Sequence, residues 1–147
     1  MKLGYLDTLK AFNKVQGHIY YFDKKEFSKL LKEYNLETIY GLELAAKIYK
    51  IDKYKIYKCE EFLNELLGKH MEVEVKYKRF KSKFIPKIFI REFNNIISMI
   101  NKGFGICLFK DILKSSTNNP KIINNIFSDY ITASKAIIEL EYNNKKV

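Results

Sequence analysis

Apolar residues return every third or fourth position along most of the chain, the spacing of helices with one buried face. Leu6, Leu9, Phe12 and Val15 do so up to Gly17, which predicts a helix over 3–16. Asp23 reads as the N-cap of a second helix, about 24–34, with Phe27, Leu30 and Leu31 inward and Asn35 ending it. A third, about 37–49, carries Ile39, Leu42, Ala45, Ala46 and Tyr49 on one side. Asp52 is placed to cap a fourth, about 53–68, with Ile56, Cys59, Leu63 and Leu66 as its buried stripe and Gly68 as its stop.

The period then changes to two. Met71, Val73, Val75 and Tyr77 alternate with Glu72, Glu74, Lys76 and Lys78, which predicts a half-buried strand over 71–80. The apolar run 84–90 is interrupted by Pro86, so it is either an edge strand returning as a hairpin partner or the start of a helix. Phe89, Phe93, Ile96, Ile97 and Ile100 are helically spaced up to a C-cap at Gly103. Residues 103–109, GFGICLF, read as a short buried strand and 115–119, SSTNN, as a surface loop. Asn119 and Pro120 form an N-cap and first-turn pair opening a long helix to about 142, followed by a frayed tail.

With 147 residues, 47% of them hydrophobic and 15% aromatic, the chain can fold around its own core and is expected to form a single domain, 1–147. No apolar run approaches the roughly 18 residues of a membrane span, and the start lacks the apolar centre of a signal peptide. A cytoplasmic protein is therefore expected. The two cysteines, Cys59 and Cys107, sit in different apolar patterns with no CxxC spacing, which argues against a disulfide framework or a zinc knuckle and reads as two free core thiols.

Charge is unevenly placed. Of the net +10, residues 47–91 hold +7, from 13 basic and 6 acidic side chains. Concentration of this kind on a folded domain is the electrostatic footprint of a polyanion, nucleic acid first and an acidic membrane surface second, set against a merely solvated lysine face.

Within that segment, LELAAKIYKIDKYKIYKCEEFL (42–63) resembles the helix-turn-helix unit of DNA-binding proteins. Ala45 and Ala46 supply the small pair, Tyr49 and Ile51 frame the turn, and Ile56 and Cys59 supply the inward positions of the second helix. The turn position usually held by Gly is Lys50, which requires φ > 0 or a different turn. Wound as a helix, 53–67 puts Lys53, Lys55 and Lys58 in its first turns, with Tyr54 and Tyr57 facing outward and Glu60, Glu61 and Glu65 later, as suits a recognition helix. The following strand ends in Lys76, Lys78, Arg79, Lys81 and Lys83, so a hairpin there would be a basic wing. The resemblance thus implies a winged helix-turn-helix-like core. Lys47, Lys50, Lys53, Lys55, Lys58 and the wing cations would meet phosphates of double-stranded DNA, with Tyr54 and Tyr57 near base edges. The plainer alternative is two ordinary core helices meeting at a turn and an edge strand defended by lysines.

Other chemistry is weakly encoded. Glu74, Val75 and Lys76 in a strand resemble the second half of the PD-(D/E)xK nuclease motif, whose first half is missing here. LGYLD at 3–7 resembles a LAGLIDADG helix without its small residues and second acid, and is set aside. His18 and His70 are placed for neither a metal nor a triad and read as surface or boundary residues, and there is no Gly-rich phosphate loop. No catalytic residue, metal or cofactor is assigned. In the last helix Ile123, Ile126, Tyr130, Ala133, Ile137 and Leu140 form a heptad seam, with Ile122, Phe127, Ile131 and Ile138 as a second stripe. One stripe can pack on its own domain and the other on a second copy, giving a homodimer through Ile123, Ile126, Tyr130, Ile137 and Leu140. The alternative is a central helix buried by its own chain.

The expected protein is α+β and predominantly helical, with residues 1–91 a basic DNA-binding part and 92–142 a packing or dimerisation part. It reads as a DNA-binding regulator or accessory protein of the phage or plasmid kind. A small inhibitor or adaptor that binds a partner protein is the alternative from a different class.

Overall fold

The computed structural model describes residues 2–84, 93–115 and 125–146. Helix α1 (Lys2–Ala11) stops short of the predicted 16, because Asn13 at φ 57 turns the chain and Val15 enters strand β1 (Val15–Gln16). Gly17, at φ 116, leads to β2 (Tyr21–Asp23), which pairs antiparallel with β1. A Cβ on Gly17 would lie 2.1 Å from the Tyr20 carbonyl oxygen, so this glycine closes a hairpin that no side chain could enter.

Helix α2 (Lys24–Glu33) starts as predicted, with the Asp23 carboxylate accepting the Glu26 N–H at 2.9 Å. Asn35 ends nothing; it caps α3 (Leu36–Ile48) by accepting the Thr38 N–H at 2.8 Å. Helix α3 is buried on nearly every side. Its Glu43, fully buried, reaches back to the β1–β2 hairpin and accepts the backbone N–H groups of His18 at 2.8 Å, Tyr20 at 3.1 Å and Ile19. Burial outweighs those hydrogen bonds and holds the carboxyl above its ordinary range.

The largest departures lie between 50 and 80. Lys50 does take φ 58 to close α3, but Asp52 caps no helix: its Oδ1 accepts the Tyr54 N–H two residues on. Ile56 and Tyr57 form β3, parallel to β2, completing a sheet of order β1-β2-β3. The helix predicted at 53 begins only at Cys59. This helix, α4 (Cys59–Phe84), runs through Gly68 and through the whole predicted strand 71–80. Two features of the sequence favour it: Phe62, Leu66, His70, Val73, Tyr77 and Phe80 form one inward seam at steps of three and four, and Glu72–Lys76 and Glu74–Lys78 are ion pairs at the helical i,i+4 spacing. The alternation of apolar and charged residues in 71–80 was compatible with both periods, and the long seam selects the helix. Residues 71–80 therefore make no wing.

Helix α5 (Phe93–Asn101) ends at Gly103, φ 80, as predicted. Helix α6 (Gly105–Ser115) replaces the strand predicted over 103–109. The last helix, α7 (Ser128–Lys146), extends past the expected end at 142. The alternatives for 85–90, most of the 115–119 loop, and the Asn119–Pro120 cap lie outside the described residues.

The fold is α+β and predominantly helical. One core joins α2, α3, the first half of α4, the sheet, Ile106 of α6 and the middle of α7; a second joins Tyr77 with α5, α6 and the start of α7. Gly41 brings α3 against α7, where an added Cβ would stand 2.7 Å from the Ala136 Cβ. Ile137 and Leu140, expected at a dimer seam, are buried in the first core, so their own chain covers them. Ile126 is exposed, Tyr130 is half-buried against both cores, and Ile123 lies outside the described residues. No helix among the described residues is long and apolar enough to cross a membrane.

Candidate functional site

Most of the basic segment faces outward, in two places. The first is the last turn of α3 and the loop that joins it to α4. Lys47, Lys50, Lys53, Tyr54 and Lys58 are exposed there, and Lys53 lies 5.8 Å from the centre of the Tyr54 ring. Two expected contacts are lost. Tyr57 is 1% exposed, with its hydroxyl donating to the Asp52 carbonyl, so it cannot reach a base. Lys55 lies over the Tyr57 ring and pairs with Glu61 at 2.8 Å and Glu65 at 3.4 Å. The reason is the strand: in β3 the pleat sends Tyr57 inward and Ile56 outward, the opposite of their positions on the predicted helix.

The second place is the outer half of α4. At 100° per residue, Lys69, Lys76, Arg79 and Lys83 fall within about 80° of one another and span about 21 Å of helix. Lys69 and Lys76 both pair with Glu72, at 3.0 and 2.6 Å. Arg79 and Lys83 are exposed and have no carboxylate partner among the described residues. Lys78 flanks this stripe and pairs with Glu74 at 3.2 Å, while Lys81 turns aside to Asp111 at 2.6 Å. An open groove of about 370 Å³ separates the stripe from the α3–α4 loop, with Lys50 on one wall and Lys69 on the other. The cations thus belong to one helix face and one loop.

The nuclease-like triplet is split by the same helix. Glu74 turns inward to Lys110 and Lys76 outward to Glu72, since residues two apart on a helix point in opposed directions.

Between the two cores lies a polar cluster not anticipated from the sequence. His70, expected at a boundary, is fully buried on α4, and Lys110 of α6 is 2% exposed beside it. The Lys110 ammonium donates to His70 Nε2 at 2.7 Å, Glu141 Oε1 at 2.5 Å and Glu74 Oε1 at 3.1 Å, which uses all three of its N–H groups. Tyr49 Oη lies 2.6 Å from His70 Nδ1. With Nε2 accepting from the ammonium, the ring proton sits on Nδ1 and is donated to the Tyr49 oxygen. Burial, reinforced by the Lys110 charge, holds His70 down at about 4, so the imidazole is neutral at pH 7. Burial would raise Glu74, but the hydrogen bonds and charges of Lys110 and Lys78 outweigh it and hold that carboxyl at about 2. His70 and Glu74, four apart in a helix, were a legible signal only once 71–80 is known to be helical.

No family model matches the chain, and no curated protein or solved structure matches it.

Proposed function

We propose that the protein binds double-stranded DNA as a regulator or accessory protein, with the outer face of α4 lying against the duplex. The observation that carries this reading is the cationic stripe, above all Arg79 and Lys83, which no acid of the described residues neutralises. Residues 49–58, which hold β3, are longer than the turn of a helix-turn-helix, so the reading rests on α4 itself, and its reading end is the second half, because the first turns carry Glu60, Glu61 and Glu65. An α-helix exposed over half its circumference, about 10–12 Å across, fits a major groove about 12 Å wide. Arg79 supplies a planar fork for phosphate or guanine, and the lysines supply point charges to the backbone.

Anisotropy of a labelled duplex, titrated with protein at about 50 and 200 mM salt, tests it. Displaced counterions make affinity fall at least tenfold between the two, and Arg79→Glu with Lys83→Glu removes most of the low-salt binding. No binding at low salt, or binding indifferent to that double variant, refutes the reading. A protein partner is the second reading, favoured by Met71 and Val75, 57% and 49% exposed beside the same cations; in that case a stoichiometric protein is retained after nuclease treatment.

A further inference from the structure

The geometry points to a divalent metal site formed by His70, Glu74 and Glu141, in which the Lys110 ammonium is a resident cation that the metal ion displaces. One imidazole nitrogen and two carboxylate oxygens, all within 4.8 Å of one another, make the donor set. A mixed nitrogen and oxygen set suits borderline ions such as Zn²⁺, Fe²⁺ or Co²⁺, whereas Ca²⁺ and Mg²⁺ take oxygen alone.

Three further observations fit. His70 and Glu74 stand four apart on α4, so both project to one side of a rigid helix, and α7 brings Glu141 opposite. The outward nitrogen of His70 is already held, by the Tyr49 hydroxyl at 2.6 Å, which leaves Nε2 aimed at the carboxylates. Metal-binding histidines are oriented by an oxygen on their other nitrogen in the same way. Finally, a cation already occupies the middle: Lys110 Nζ reaches all three donors at 2.5–3.1 Å. A zinc-sized ion binds at about 2.0–2.2 Å, so the ligands need close in by less than about 1 Å.

Entry is from the carboxylate side. The side chains of Glu74 and Glu141 are 26% and 21% exposed, while His70 is sealed. The ammonium leaves by that opening with its proton, and a charge of +2 in its place neutralises both carboxylates. Because Lys110 fills the site beforehand, the metal-free chain stays folded, unlike a zinc finger.

The test uses the full chain, treated with chelator and dialysed, then titrated with Co²⁺ and followed by ligand-field absorption and calorimetry. One ion per chain is expected, displaced by Zn²⁺. His70→Gln and Glu141→Gln each weaken binding at least tenfold. Lys110→Met strengthens it at least tenfold, because the competing charge is gone. Circular dichroism verifies the fold of each variant. If Lys110→Met does not fold, Tyr49→Phe replaces it as the deciding variant: it keeps every ligand, frees the imidazole and should weaken Co²⁺ about tenfold. A wild-type chain that takes no ion overturns the proposal, as do unchanged affinity in His70→Gln, which would place the ion on surface acids, and no gain in a folded Lys110→Met.

Discussion

Cys59 and Cys107 show how burial sets the chemistry of a side chain. Both are buried free thiols, on different helices. Burial pushes Cys59 up to about 11 and Cys107 up to about 12. Only the thiolate is nucleophilic, so at pH 8 the folded protein should react with iodoacetamide about a hundredfold more slowly than the unfolded chain, and the rate should climb about tenfold per pH unit through pH 10. Rapid alkylation of Cys59 in the folded state at pH 8 would contradict this burial. Their character as core thiols was legible, because each falls in an apolar pattern. His70 and Lys110 were not: a histidine between Lys69 and Met71 looks exposed until the helix that turns it inward, and the Glu74 and Glu141 that receive Lys110, are known. Hydrogen-bond partners 31 to 40 residues apart leave no local trace.

At the scale of elements, Gly68 separates the two accounts of 53–80. As a stop it would occupy the left-handed region that favours glycine. In α4 it is an interior position with φ < 0, and a Cβ added there would meet nothing within 4 Å. Gly68→Ala should therefore stabilise the protein by about 0.5–1 kcal/mol, through the lower entropy of the unfolded chain and the better helix former. Thermal unfolding of the variant reads it directly; a lower Tm would mean that the helix does not pass through residue 68. The caps at Asp23 and Gly103 were legible because each depends on a few neighbouring residues. Strand β3 was not, since two residues become a strand only through a partner some 35 positions earlier in the sequence.

The whole molecule decides which apolar stripe is inside. Ile137 is fully buried between α7 and its own core, and α3 with its Gly41 is the neighbour that makes room. Ile137→Ala should cost about 2–4 kcal/mol of stability, with a Tm that does not move when protein concentration is raised a hundredfold. A Tm that climbs with concentration would place this face at a contact between copies.

By itself, the sequence determined the helix-rich class, the starts of α2 and α3, the ends of α3 and α5, the free thiols and the concentration of positive charge in 47–91. Each of these follows from spacing, capping chemistry or counting within a short stretch. Tertiary structure decided that 71–80 continues a helix, that Tyr57 and His70 are interior, that α7 serves its own core, and that the cations form a helix face instead of a wing. An alternating pattern such as MEVEVKYK satisfies two periods at once. The choice between them is made by the surface it packs against, which here is α6 with Lys110 and Asp111 in place to receive Glu74 and Tyr77.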